Sequence, residues 1–217
     1  MNLEKMNDFF AARVEGYDEH MLNDVPGCRN GYIRMAELVP PEAKTLLDLG
    51  CGTGLELDEI FKRYPDLSVT GVDMTAEMLA KLREKHPDKQ LALVEGDYFR
   101  VDFGREQFDA AVSFQTMHHF SHEKKIGLYR KIYDSLKPGG VYIECDYMVV
   151  DQADEDLYYA ENARLRAELG LSGEEFYHYD TPCTVTNQLD MFGQAGFTQA
   201  EMVFREENTT IIVCRKL

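Results

Sequence analysis

Apolar residues follow two alternating rhythms along this chain, and the alternation predicts its architecture. Runs that are apolar on both faces, at Thr45–Leu49, Leu67–Val72, Leu91–Glu95, Phe108–Phe114 and Val141–Cys145, read as buried strands of a parallel sheet. Segments with apolar positions three and four apart read as helices: Leu55–Tyr64, Thr75–His86 and His122–Leu136. Lys137-Pro138-Gly139-Gly140 stops the last of these. Strand and helix in alternation imply βαβ units with right-handed crossovers, hence a doubly wound α/β sheet. Its ligand belongs at the carboxyl ends of the strands. Those ends carry Gly50, Asp73, Asp97, Gln115 and Asp146.

The flanks follow other patterns. Residues 1–43 read as a helical preface. A short amphipathic helix holds Phe9, Phe10 and Val14, and Gly16-Tyr17-Asp18 follows it. Val25-Pro26-Gly27 is a turn, and a second helix over Ile33, Met35, Ala36, Leu38 and Val39 is stopped by Pro40-Pro41. The preface packs on a sheet edge or covers the ligand site. Residues 147–182 form an insert with a helix at Asp154–Leu169, a break at Gly170-Leu171-Ser172-Gly173 and a further helical turn at Glu174–Tyr179. With Tyr158, Tyr159, Tyr177 and Tyr179 it reads as a substrate lid, or as a helical pair that packs or forms a homodimer. In the tail, residues 183–217, a helix at Thr186–Ala195 ends at Gly196. Strands Phe197–Glu206 and Thr209–Arg215 then pair antiparallel across a tight connection. With no repeat or linker, residues 1–217 read as one domain around a 44–146 core.

Composition narrows the function. The chain has 217 residues, 44% of them hydrophobic, and a formal net charge of −16. Its longest basic runs, Lys124-Lys125 and Arg215-Lys216, are too short for a phosphate-backbone footprint, so nucleic acid is excluded as main partner. The start MNLEKMNDFF has no signal-peptide core, and no apolar run approaches the ~18 residues of a membrane span. The five cysteines are dispersed, as in a reducing compartment. A cytoplasmic protein is expected.

The chemistry centres on Gly50, Gly52 and Gly54, where the first strand runs into a helix. Glycines there let a ligand approach the main chain at the positive end of the helix. A dinucleotide fingerprint needs glycine at position 55, where Leu55 stands, and a P-loop needs Gly-Lys-Ser/Thr. No lysine or arginine lies between Thr45 and Ile60, whereas Asp48 and Glu56 flank the turn. A polyphosphate is repelled there and a cation is not. Asp73 can accept from a ribose diol, and Asp97 from an adenine amine with Tyr98 beside it to stack. A cationic, phosphate-free adenosine fits, which points to S-adenosylmethionine.

The stretches LLDLGCGTG (46–54), GVDMTAEML (71–79), EGDYF (95–99), FDAAVSFQTMHHF (108–120) and LKPGGVYIECD (136–146) resemble, in order and spacing, the class I S-adenosylmethionine-dependent methyltransferases. The resemblance implies a seven-stranded sheet of order 3-2-1-4-5-7-6 with an antiparallel end, and S-adenosylhomocysteine as product. It implies that the backbone at Gly50, Cys51 and Gly52 meets the methionine part and ribose, and that Asp73 holds the ribose. Met74, Asp97 and Tyr98 would take the adenine, and Gln115 would reach the methionine amino group through its main chain. Arg34 and Tyr17, from the preface, are candidates for the methionine carboxylate.

Methyl transfer from a sulfonium needs alignment and a dry site, and a base only where the nucleophile must lose a proton. His119 is the first candidate base, ahead of His118, His178, Glu144 and Asp146. No metal is expected, because the His118-His119 pair lacks Asp, Glu or Cys partners at ligand spacing. A small-molecule acceptor fits the acidic charge and the polar, tyrosine-rich insert. Two alternatives stand beside it. The preface (8–27) and tail (194–216) also look like carboxy-S-adenosylmethionine synthases, although basic residues for a second carboxylate are not evident in the insert. The other alternative is a cofactor-binding paralogue that transfers nothing.

Overall fold

The computed structural model describes residues 3–171 and 175–217. Three helices precede the sheet: α1 (Met6–Ala11), α2 (Val14–Asn23) and α3 (Cys28–Leu38). There follow β1 (Thr45–Leu49), α4 (Leu55–Arg63), β2 (Ser68–Asp73), α5 (Ala76–Lys85), β3 (Leu91–Glu95) and β4 (Phe108–Phe114). A short 3-10 turn, Met117–His119, leads to α6 (His122–Ser135) and the long β5 (Leu136–Val149). The insert holds α7 (Gln152–Glu168); the tail holds β6 (Cys183–Thr184), α8 (Val185–Ala195), β7 (Gln199–Glu206) and β8 (Thr209–Arg215).

The sheet has the order β3-β2-β1-β4-β5-β8-β7, with the two-residue β6 paired to the far end of β5. β3 through β5 run parallel, and β8 is antiparallel to both β5 and β7. This is the expected order, with the terminal hairpin renumbered because of β6. Alternate side chains of each central strand enter opposite layers. Leu46, Val69, Ala110, Val112 and Ile143 pack with α3, α4 and α5 through Met35, Ile60 and Leu82. Leu47, Leu49, Ala111 and Tyr142 pack with α6 and α8 through Tyr129, Ile132 and Phe192. Buried on both faces, β1, β4 and the middle of β5 show the continuous apolar runs that made them legible.

Local chemistry sets the ends that matter for the site. Gly54, at φ +75°, turns the chain from β1 into α4. Thr184 caps α8 by accepting a hydrogen bond from the Asn187 N–H, and Gly196, at φ +112°, ends it.

Three expectations are corrected. Gly16-Tyr17-Asp18 does not follow a helix; it lies inside α2, where packing outweighs the low helix propensity of a single glycine. Residues 175–179 are not helical: Lys5 and Tyr177 form an antiparallel bridge, the Met6 N–H donates to Phe176 O (3.0 Å), and the His178 N–H donates to Glu4 O (3.0 Å). The expected break at Ser172-Gly173 and the start of that turn at Glu174 lie outside the described residues. β5 is far longer than Val141–Cys145, so Asp146 sits within a strand and not at its end.

Candidate functional site

The carboxyl ends of β1, β2, β3 and β4 converge on a narrow cleft of about 60 Å³. Gly50, Gly52, Asp73, Met74, Asp97, Tyr98 and Gln115 all line it, and so does Tyr17, carried in by α2. The fold thus brings together most of the expected cofactor residues. Met6, Phe10 and Phe176 cover them, from α1 and from the insert. The backbone pairing of residues 4–6 with 176–178 holds these covers in place.

Asp73 is built into the turn it serves. Its Oδ2 accepts from the Gly52 N–H (2.9 Å) and its Oδ1 from the Thr75 N–H (2.8 Å). Burial raises its pKa, and these hydrogen bonds pull it back. Asp97 likewise accepts from the Phe99 N–H at 2.8 Å. The Tyr98 hydroxyl reaches Thr116 Oγ1 (3.1 Å), with its ring among Phe99 and Phe120. Gln115 stands at φ +51°, its N–H already donating to Cys145 O (2.8 Å). Its main chain therefore offers a ligand only the carbonyl.

Beneath the glycines, Asp48 and Glu56 are buried side by side. Burial and the neighbouring Glu56 carboxyl push Asp48 well up, and burial lifts Glu56 to about 7. Two adjacent buried carboxyls oppose each other's ionisation. From above, Thr53 Oγ1 donates to Asp18 Oδ1 at 2.5 Å, tying α2 to the turn.

One expected cofactor residue lies elsewhere. Arg34 is on the solvent side of α3 and pairs with Glu37 (3.1 Å), because α3 gives Gly31, Tyr32, Met35 and Ala36 to the interior. The Cys51 side chain points into the core, where its Sγ abuts Gly71, and burial pushes its thiol well up. Only the backbone of Cys51 belongs to the turn.

A second cavity, of about 890 Å³, opens beside the cleft. The two share Phe10, Tyr17, Gln115 and His119. The larger one is walled by α1 and α2, by His118 and His119, by Tyr147, and by the β7–β8 turn at Glu207 and Asn208. From the insert it takes His178 and Asp180 and none of the four tyrosines. Those tyrosines anchor instead: Tyr158 bonds Tyr147 (3.0 Å), and Tyr159 donates to Phe120 O (3.2 Å).

The histidines form a charged cluster. His118 Nδ1 lies 2.5 Å from Asp146 Oδ1, and its Nε2 lies 3.5 Å from Asp180 Oδ1. Burial opposes its charge, but the two carboxylates raise its pKa to about 10. Burial, then the charge of His118, holds the neighbouring His119 well below the usual histidine value. His119 Nδ1 faces Tyr179 O (3.3 Å) and Asp180 Oδ1 (3.4 Å). His178 stacks on Phe9 at 3.6 Å. Sequence reasoning missed Asp180, so its argument that the histidine pair lacks an acidic partner is corrected: the far end of the insert supplies one. Of the other base candidates, Glu144 lines neither cavity. It is buried, accepts from the Tyr142 hydroxyl (2.8 Å) and is raised by burial to about 8.

Comparison with known proteins agrees with this geometry. Residues 46–140 match the family described as "Methyltransferase domain". A carboxy-S-adenosyl-L-methionine synthase from Nautilia profundicola is 22% identical over 99% of this chain and 96% of its own length. A sterol 24-C-methyltransferase from Candida albicans is 32% identical, but over 52% of this chain, which spans only 31% of that relative. Among solved structures, an O-methyltransferase-like protein from Nostoc punctiforme superposes with a TM-score of 0.72 at 21% identity, covering 98% of this chain and 62% of its own. No helix among the described residues is long and apolar enough to cross a membrane. Residues 46–140 are thus a methyltransferase domain, the fold is that of the O-methyltransferase-like protein, and S-adenosylmethionine is the cofactor.

Proposed function

We propose that the narrow cleft holds S-adenosylmethionine and that the larger cavity holds a small-molecule acceptor, methylated in line at the shared wall. The observation that carries this reading is the meeting of the two cavities at Phe10, Tyr17, Gln115 and His119. In this reading Asp73 takes the ribose, Met74, Asp97 and Tyr98 take the adenine, and Gly50 and Gly52 give the methionine part close access to the main chain. Tyr17 contacts the methyl-bearing end of the cofactor, and His119 receives the acceptor's proton where the acceptor is a hydroxyl or an ammonium. The enclosure by Phe10, Phe120 and Phe176 keeps the sulfonium from water. The acceptor is a metabolite and not a nucleic acid. A cytoplasmic setting fits the five cysteines, all unpaired and buried.

The test is transfer of a labelled methyl group from S-adenosylmethionine into fractionated metabolite extracts. Labelled product in a small-molecule fraction, lost in His119→Ala, is expected. Cofactor binding without transfer to any fraction would favour the non-catalytic paralogue.

A second reading, modification of the cofactor itself, draws on the near full-length similarity to the Nautilia synthase. Arg13 is the cation on the larger cavity's wall suited to a carboxylate, although Glu4 engages it at 3.1 Å. Mass spectrometry of the ligand that co-purifies separates the readings: a carboxylated cofactor supports the second.

A further inference from the structure

We infer that His118, His119 and Asp180 form a binding site for a divalent first-row metal ion, zinc or one of its neighbours, on the wall of the larger cavity. Among the described residues, one ligand atom from each lies within 4.8 Å of the other two. The inference goes beyond the methyl-transfer reading and does not depend on it.

The separations carry the argument. Asp180 Oδ1 lies 3.4 Å from His119 Nδ1, 3.5 Å from His118 Nε2 and 4.0 Å from His178 Nε2. Hydrogen bonds from nitrogen to oxygen run about 2.7–3.2 Å, so these contacts are too long to be good ones. Ligands bound about 2.0–2.1 Å from a tetrahedral ion stand about 3.3 Å apart, close to the two shorter separations. The Asp180 oxygen is itself buried without a hydrogen-bond partner, although the rest of its side chain reaches solvent. A buried anionic oxygen among three imidazoles, in ion-pair reach of each but without a hydrogen bond, is a poor end state for a carboxylate and a ready one for a cation's ligand.

His118 is oriented as metal-binding histidines are. Asp146 engages its Nδ1 at 2.5 Å from the opposite side, leaving Nε2 toward Asp180. Backbone contacts fix both halves of the cluster. The Thr181 N–H donates to His118 O (2.6 Å), as does the Thr181 hydroxyl (2.9 Å), locking the end of the insert onto the histidine pair. Asp146 and Asp180 add two negative charges, which favour a dication. Imidazole with carboxylate suits zinc, copper, iron and nickel better than magnesium or calcium.

Three protein ligands would leave a coordination position open, and all three residues line the larger cavity. An acceptor oxygen bound there would lose its proton more readily, by Lewis acidity. In that metal-bound form His119 Nδ1 is a ligand, gives up its contact with Tyr179 O and no longer receives the proton.

The test is titration of the chelator-dialysed full chain with zinc by calorimetry, and with cobalt by its visible absorption. One equivalent should bind, with tetrahedral-type cobalt bands. Asp180→Asn and His119→Asn should abolish that uptake, and Asp146→Asn should weaken it about 10–100-fold. Asp180 Oδ1 has no hydrogen bond to lose, so Asp180→Asn should stay folded, as thermal melting will verify. No saturable uptake at one equivalent, or uptake unchanged in Asp180→Asn, overturns the site and leaves an ion-pair network only. Neither result bears on cofactor binding, which is measured separately with S-adenosylmethionine.

Discussion

Thr53, in the glycine turn, donates its hydroxyl to Asp18, on the covering helix α2, at 2.5 Å. Lys85 reaches the other Asp18 oxygen at 3.2 Å, so α2, α5 and the turn are joined at one carboxylate. The joint keeps Tyr17 over both cavities. Asp18→Ala should weaken S-adenosylmethionine binding roughly tenfold, the scale of one hydrogen bond to a charged group, about 1.5 kcal/mol. Calorimetry checks it, and an unchanged affinity would show that α2 docks without the joint.

Asp73 has two duties that variants can separate. Asp73→Ala should abolish measurable cofactor binding and also lower the melting temperature, since it frees the Gly52 and Thr75 N–H groups. Asp73→Asn keeps one acceptor oxygen. It should recover part of the stability and little of the affinity.

Gly54 has no room for a side chain. A Cβ there would collide with the Leu82 side chain, and its φ of +75° is left-handed. Gly54→Ala should destabilise by about 1–2 kcal/mol from the backbone, with a further ~1–3 kcal/mol from overpacking. Leu82→Ala in the same chain should relieve the collision and leave the backbone term, so a denaturant double-mutant cycle will show coupling between the two.

Asp109 gives the fold a pH dependence. It accepts from the Lys44 and Thr45 N–H groups (2.9 Å each), from the Thr45 hydroxyl (2.9 Å) and from Lys137 Nζ (2.7 Å). Burial opposes its charge, but these donors, Lys137 foremost, lower its pKa to about 2. A depressed folded-state pKa means stability that is complete above the unfolded value, about 3.9, and is lost as pH falls toward 2. Asp109→Asn should therefore lower the denaturation midpoint at pH 7, and the difference from the parent chain should shrink between pH 4 and about 2.

The sheet was legible because burial on both faces writes itself as continuous apolar runs. The cofactor cleft was legible because its polar residues sit at strand ends, a place the fold dictates. Arg34 was misplaced because periodicity marks a helix without saying which face turns inward; Gly31 and Tyr32 settled that by packing. The Gly16 break failed because tertiary contacts override one glycine. Asp180 and His178 left no periodic trace, since they sit in an irregular stretch positioned by long-range contacts with His118 and Glu4. The clustered YHYD at 177–180, with histidine and acid two apart, was the available signal.

The pairing of residues 4–6 with 176–178 has a kinetic consequence. The cleft it borders measures about 60 Å³ and is lined by Met6, Phe10 and Phe176. On the reading that this cleft holds the cofactor, a looser backbone ladder should let these three side chains move apart more readily. A chain with a looser ladder should then exchange its spent cofactor faster while protecting the fresh one less well.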